Sequence, residues 1–455
     1  MAMVHDLARF AVRARYEDLS PQVRDALKVR VLDSLACAVG ALEGEPVQAV
    51  RRQVKALGGS PACTLIGGGR SSPDRCALYN GALVRYLDFN DTYLAPGESF
   101  HPSDNLAPVL ACAEYADAPG REFLTALAVA YQVQVRLAEV APVRRHGLDH
   151  TTHGAYSVPA GCARALGLDA ERTAHAIAIA GVSLNALRAT RAGAISHWKG
   201  LAFAWVAFGG VNAVFLAREG VTGPEGVLDG QKGLMEVITG PFSLDWEKEG
   251  LSAVLGTSLK KHNAEFHAQT AIDALLALRE EYRVDPARVE RIEVETFEVG
   301  YRIIGGGEEG DKYAVHTRED ADHSLPYILA VALLDGQVQP EQYAPERIRR
   351  PDVQDLLRRV VVRPREDYSR RFPREIPTLV RLVLRDGTVL EREQADFEGF
   401  YTRPMPWEGV VAKWERLARP FVDPGLLRAI PEAVADLDRL PVRDLTALLA
   451  RVGRR

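Results

Sequence analysis

Four stretches of the sequence, residues 106–117, 121–140, 154–166 and 170–183, are rich in Ala and apolar nearly all the way round a helix. A surface helix carries one apolar stripe and one polar face, whereas a helix apolar on every side has to be surrounded by other helices. Several such helices in one chain therefore demand a large helical bundle. At 455 residues the chain exceeds what a single core ordinarily supports, so two domains, one of them large, are expected. The stretch LSPQVRDALKVRVLDSLACAVGAL shows how one helix starts and stops. Ser20 is placed as its N-cap, Pro21 stands at the first helical position, Val23, Leu27, Val31, Leu35 and Val39 recur on one face, and Gly40 lies near the end.

The segment GLAFAWVAFGGVNAVFLA, residues 200–217, has 18 residues without a charge, which is the threshold length for a membrane span. It is solitary, contains Asn212 and a Gly209-Gly210 pair, and directly follows Lys199, so it reads as a buried core helix. After about residue 262 the texture changes. VERIEVETFEVG (289–300) alternates over a few residues, LRRVVVRP (357–364) is β-branched, and LVRLVLRDGTVLERE (379–393) reads as two strands about Asp386-Gly387. Helices at 267–281 and 323–334 interleave with these strands, and the pattern is helical again from residue 405. The expected fold is mainly α with an inserted α+β domain. Its boundaries are a helical part at 1–262, an α+β domain at 263–398 and a helical C-terminal part at 399–455 that returns to pack on the first.

A net charge of −5 and a pI near 6.2 argue against a nucleic-acid footprint or a polybasic membrane patch, so any cation that holds an acidic ligand must be local. The five cysteines, Cys37, Cys63, Cys76, Cys112 and Cys162, form no CxxC pair and are odd in number. That disfavours a disulfide framework, a zinc site or an iron–sulfur cluster and points to a reducing, cytoplasmic compartment. MAMVHDLARFAVRARYEDL carries acidic residues and no long apolar core, unlike a secretory signal. IIGGGEEGDK (303–312) has neither the GxGxxG spacing nor a following helix and reads as a flexible loop, and no P-loop or GxSxG elbow is present.

Against this apolar background YLDFNDTYLAPGESFHPSDN, residues 86–105, gathers Asp88, Asn90, Asp91, Glu98, His101, Ser103, Asp104 and Asn105. Such a segment is either a solvated loop or the wall of a ligand site, because these side chains are costly to bury without partners. Further histidines lie in RRHGLDHTTHG (His146, His150, His153), SHWKG (His197), KKHNAEFHAQ (His262, His267) and VHTREDADHSLPY (His316, His323). Only nine of the 56 basic residues are Lys, yet Lys199 abuts the charge-free segment and Lys260-Lys261 close the helical region. An ammonium in such a place needs an anionic partner, either an internal carboxylate or a substrate carboxylate. HGLDHTTHG could ligate a metal, but without an HExxH helix or acidic residues at repeated ligand spacing no metal is expected.

Taken in order, YLDFNDTY with HPSDN, GLDH, SHWKG, LKKHNAEFHAQ and ADHSLPYILAVALLDG resemble the motifs of the MmgE/PrpD family, and of its 2-methylcitrate dehydratase branch in particular. The resemblance implies a large all-helical domain built from both chain ends, a smaller α+β lid domain, an active site between them, no cofactor and a homodimer. It implies a hydro-lyase that dehydrates 2-methylcitrate to 2-methyl-cis-aconitate in propionate catabolism by the methylcitrate cycle, with citrate as a further substrate. Carried over by position, the site residues are Asp91, His101, His150 and Tyr327 as catalytic groups, with Lys199, Lys260, Asn90 and Ser103 binding substrate. His153 competes with His150, and Lys261 with Lys260. The roles expected are proton transfer by His101 held by Asp91, a carboxylate grip by Lys199 and Lys260, and departure of the hydroxyl helped by His150 and Tyr327. Relatives on the same fold decarboxylate cis-aconitate or epimerise iminodisuccinate, which are the alternative reactions; a non-catalytic tricarboxylate-binding protein is the alternative of another class.

Overall fold

The Ser20 hydroxyl accepts a hydrogen bond from the Val23 amide and opens the helix Pro21–Gly40, in which Val23, Leu27, Val31, Leu35 and Val39 are all buried. In the computed structural model, which describes residues 2–192, 195–307 and 311–453, the chain divides into two compact units. The first comprises Met1–Thr190, Trp198–Thr257 and Pro406–Arg455, and the second Arg191–His197 and Ser258–Met405.

The first unit is helical. Along the chain it contains α1 (Met3–Arg13), α2 (Pro21–Gly40), α3 (Glu45–Leu57), α4 (Pro73–Tyr86), α5 (Leu106–Tyr115), α6 (Gly120–Val140), α7 (Gly154–Ala165), α8 (Ala170–Ser183) and α9 (Ala202–Arg218). The helices Trp407–Ala418, Pro424–Ala435 and Val442–Leu449 complete it. In α5 every residue from Leu106 to Glu114 is buried, and α7 packs against α6, α8 and α9. Small residues let these helices approach closely. A Cβ at Gly161 of α7 would lie 2.8 Å from the Ala130 Cβ and 3.0 Å from the Ala126 carbonyl of α6.

The charge-free segment forms α9 but is not buried all round, which corrects the sequence reading. Phe203, Val206, Ala207, Gly210, Val211 and Val214 face inward, while Trp205 is 45% and Leu216 47% exposed. Trp205 stacks on Phe208 with ring centroids 5.4 Å apart and meets Trp198 at 6.0 Å. The bundle covers only one side of the helix, and aromatic contacts along the other side shield part of its apolar surface. Among the described residues no helix is long and apolar enough to cross a membrane.

The second unit is built on a four-stranded sheet of β1 (Val289–Thr296), β2 (Val360–Pro364), β3 (Thr378–Leu384) and β4 (Val389–Gln394), ordered β2-β1-β3-β4. The β1–β2 pair is parallel; β1–β3 and β3–β4 are antiparallel. Asp386-Gly387 makes the β3–β4 turn, with Gly387 at φ +85° and the Asp386 carboxylate accepting from the Thr388 amide at 3.0 Å. β3 is buried almost throughout, and the exposed edge strand β4 carries Glu391, Arg392 and Glu393, charges that discourage pairing with another chain. The helices Gln269–Glu281 and Leu325–Asp335 bury Ile272, Leu275, Ile328 and Val331 in one core with Val380 and Leu382. The expected loop at 303–312 lies partly outside the described residues; Tyr301–Gly305 forms a π-helical turn.

Gly120 ties α6 to the C-terminal part of the same unit. Its amide donates to the Leu440 carbonyl at 2.7 Å, and a Cβ there would stand 1.8 Å from the Leu437 carbonyl oxygen. Backbone cannot give way as a side-chain tip can. Gly120→Ala is therefore expected to lower the unfolding free energy by about 3 kcal/mol, read from denaturant unfolding curves at constant slope. A loss within experimental error would show that the contact is slack.

Candidate functional site

The acidic and amide side chains of segment 86–105 are buried, not solvated, while the turn at Pro96-Gly97 is exposed. Asp88, Asn90, Asp91, His101, Ser103, Asp104 and Asn105 are each at most 8% exposed. After α4 ends at Tyr86 the chain turns through Asp88 at φ +52°, a left-handed conformation that Asp tolerates better than most residues. It then runs through a short hairpin, Tyr93–Ala95 with Glu98–Phe100, and His101 leads into a 3₁₀ turn, Pro102–Asn105, that continues as α5.

His101 is oriented by backbone. Its Nδ1 lies 2.6 Å from the Asp91 carbonyl oxygen and 3.4 Å from the Thr92 hydroxyl. A carbonyl only accepts, so Nδ1 carries the proton and Nε2 is the basic nitrogen of the neutral ring. The Asp91 carboxylate points elsewhere, which corrects the expectation that it holds the ring. It accepts from the Ser103 amide at 3.0 Å and from the Tyr131 hydroxyl at 2.9 Å. Burial pushes the Asp91 carboxyl above its ordinary range, opposed by the hydrogen bonds from Ser103, the Arg30 charge and the bond from Tyr131.

The carboxylate that faces His101 is Asp88, a residue to which the sequence reading gave no role. Its Oδ1 stands 2.8 Å from Arg85 Nη1 and 3.9 Å from His101 Nε2, and its Oδ2 lies 3.5 Å from Lys199 Nζ. Lys199 is thus a buried ammonium beside a buried carboxylate. The one sequence signal for this role was Arg85 three residues before Asp88 at the end of a helix, a spacing that pairs opposite charges. Asn90 and Ser103, expected to bind substrate, brace the loop: Asn90 Nδ2 donates to Ser103 Oγ and to Asp104 Oδ1, both at 2.9 Å.

His150 and His153 separate clearly. The His150 ring lies edge-on to His101, centroids 5.8 Å apart, with Nδ1 3.7 Å from Asp149 Oδ1. His153 is fully buried, its Nε2 donates to the Ala141 carbonyl at 2.9 Å, and its Nδ1 lies 3.5 Å from Glu98 Oε2, so it serves the packing of the bundle. His146 accepts from Arg145 Nε at 2.9 Å on the surface. The three histidines of HGLDHTTHG thus turn to three different partners and do not converge as ligands.

In the second unit Lys260 is buried, whereas Lys261 is 41% exposed along its side chain and donates to Asp273 Oδ1 at 2.8 Å. Asp273 also accepts from His262 Nε2 at 2.8 Å. Burial holds His262 below its ordinary pKa despite that carboxylate, so it is a neutral donor and Lys261 is the cation of the trio. Tyr327, expected to assist the departing hydroxyl, is instead a core residue. It is fully buried among Ile328, Leu329 and Tyr343, its hydroxyl donates to the Gln342 carbonyl, and burial drives its pKa well up.

A polar cluster that the sequence reading did not use surrounds Glu265. Its Oε1 accepts from His267 Nδ1 at 2.8 Å and its Oε2 from the His267 amide at 2.7 Å. Its own amide donates to the Asp322 carbonyl, and Asp322 Oδ1 lies 2.6 Å from His323 Nδ1. Burial alone would raise the Glu265 carboxyl, but the charge and hydrogen bond of His267 with the charges of His323 and Lys260 outweigh it and bring the pKa to about 2.

The sequence pattern of the MmgE/PrpD N-terminal domain matches residues 5–247 and that of the MmgE/PrpD C-terminal domain residues 262–439. A mitochondrial 2-methylcitrate dehydratase of Yarrowia lipolytica is 30% identical over 76% of this chain and 70% of its own length. 2-Methylcitrate dehydratases of Cupriavidus necator and Escherichia coli are each 29% identical, covering 96% and 94% of this chain and 95% and 93% of their own lengths. The chain is an enzyme, a carbon–oxygen lyase of the hydro-lyase type. It belongs to the MmgE/PrpD family.

Because the folded pKa of Glu265 lies below its ordinary 4.5, the group stabilises the fold above about pH 4.5 and loses that contribution as pH falls towards 2. The difference corresponds to about 3 kcal/mol. Glu265→Gln should flatten the acid limb of a stability-versus-pH profile between these limits. An unchanged limb would place the acid sensitivity elsewhere.

Proposed function

We propose that this enzyme removes water from 2-methylcitrate to give 2-methyl-cis-aconitate, the dehydration step of propionate catabolism by the methylcitrate cycle, and that it also accepts citrate. The observation that carries the substrate is the likeness to the Cupriavidus necator 2-methylcitrate dehydratase along nearly the whole of both chains. The chemistry rests on His101, whose proton sits on Nδ1 and whose Nε2 faces the Asp88–Lys199 pair.

Dehydration of a 2-hydroxy tricarboxylate takes a proton from carbon beside a carboxylate and expels hydroxide. Both are difficult at neutral pH. In this proposal His101 Nε2 takes the proton, a contribution of roughly 10²- to 10⁴-fold. Lys199 binds the carboxylate whose charge grows as the proton leaves, worth about 3–4 kcal/mol for a well-placed donor. Lys260 supplies a second carboxylate-binding cation. Asp88 holds Lys199 and faces the imidazolium that forms, while His150 protonates the departing hydroxyl. Asp91, Asn90 and Ser103 brace the loop. The reaction needs no metal or cofactor in this scheme. We also assign the enzyme a homodimeric state and a cytoplasmic location.

The test is to incubate the purified protein, in the presence of EDTA, with 2-methylcitrate, citrate, cis-aconitate and iminodisuccinate, following unsaturated product by absorbance and CO₂ by trapping. Dehydration of 2-methylcitrate is expected. Release of CO₂ from cis-aconitate with no dehydration would overturn the proposal. His101→Asn should lower kcat roughly 10²-fold or more with substrate still bound, and Asp88→Asn should do comparable damage. The double variant should be little worse than either single, because groups that act as one are not additive. Multiplicative losses would show that the two do not work together.

A further inference from the structure

Lys413 lies on the helix Trp407–Ala418, 324 residues after Phe89, yet its ammonium reaches the loop that carries Asp88. Its Nζ donates to the Phe89 carbonyl at 2.7 Å and to Asp33 Oδ1 of α2 at 2.6 Å, and it lies 3.7 Å from the centroid of the Phe89 ring. The Lys413 side chain is 6% exposed and that of Asp33 not at all. A pair buried this deeply is weak evidence for stability, since apolar residues of similar size commonly fill such a place at least as well. What the ammonium adds is a charged donor on one peptide of the site loop.

That peptide joins Phe89 to Asn90, immediately after Asp88 at φ +52°. A non-glycine residue in the left-handed region persists where its surroundings over-determine it. Here the Asp88 amide donates to the Arg85 carbonyl at 3.0 Å on one side, and Lys413 fixes the Phe89 carbonyl on the other. Asp88 is thereby set with Oδ1 towards Arg85 and His101 and Oδ2 towards Lys199.

We propose that Lys413 is a positioning residue for the dehydration: by holding the Phe89 carbonyl it keeps Asp88 in its left-handed conformation, with the carboxylate aimed at Lys199 and His101. Its kinetic consequence rests on the function proposed above, whereas the placement of Asp88 against His101 does not.

The test uses Asp33→Asn and the double variant Asp33→Asn/Lys413→Met in the full-length enzyme. Lys413→Met alone removes the ammonium that Asp33 accepts from, so a loss of stability is expected to obscure its kinetics. Asn at position 33 still offers Oδ1 to Lys413, so the single variant should melt at a lower temperature with kcat within about twofold of wild type. The double variant should lose about tenfold or more in kcat with a smaller change in KM, because a misplacement near 1 Å is costly to chemistry. The ¹⁵N resonances of the His101 ring, assigned with His101→Asn, should move in the double variant and not in Asp33→Asn. Wild-type kcat and unmoved His101 resonances in the folded double variant would overturn the proposal. Should wild type act on none of the four acids, the function above fails, and the His101 resonances still decide whether Lys413 positions Asp88.

Discussion

Carboxylates inside a bundle of apolar helices are tolerated only where cations or hydrogen-bond donors come with them. Five buried acidic groups of the first unit obey this. Asp88 lies between Arg85 and Lys199, Asp33 receives Lys413, and Asp91 takes donors from Ser103 and Tyr131. Glu98 accepts from the Val143 and Arg144 amides, and Glu114 from the Thr64 amide and hydroxyl. Lys199 for Asp88, Lys413 for Asp33 and Tyr131 for Asp91 come from segments far apart in sequence, so the polar layer is complete only when the bundle closes around it. Fold and site are consequently one cooperative object in this unit.

Within that layer backbone and side chains divide the work on His101. A carbonyl fixes which nitrogen holds the proton without adding charge, and a carboxylate lies 3.9 Å from the other nitrogen. The same residue type is used quite differently nearby. His153 is spent on the Ala141 carbonyl, and in the second unit His262 is a neutral donor to Asp273. In the proposed reaction the partner of each ring nitrogen, rather than the histidine itself, separates the proton-transfer group from the structural ones.

The second unit solves a related problem with fewer acids. Glu265 is buried among His267, His323 and Lys260, whose charges keep it ionised to low pH. Its histidine is enclosed by Phe266, Phe297 and Phe372, which limits the water available to screen the pair.

The sequence by itself determined the local elements. Ser20 and Pro21 start α2, the Ala-rich stretches become α5 to α8, and Asp386-Gly387 turns the β3–β4 hairpin, because capping, periodicity and turn geometry act over a few residues. It also marked residues 86–105 and Lys199 as chemically unusual, since such groups stand out against an apolar chain. It could not choose among them. Asp88 and Asp91 are near neighbours of one type, and only the left-handed turn at Asp88 sends one carboxylate to Lys199 and His101 and the other to Tyr131. Tyr327 looked like a hydroxyl for chemistry until the packing of its helix gave it the Gln342 carbonyl. Lys413, remote in sequence from every motif, reaches Phe89 solely because the helix Trp407–Ala418 packs on α2. Which atoms meet depends on contacts between distant segments, and only the tertiary structure decides those.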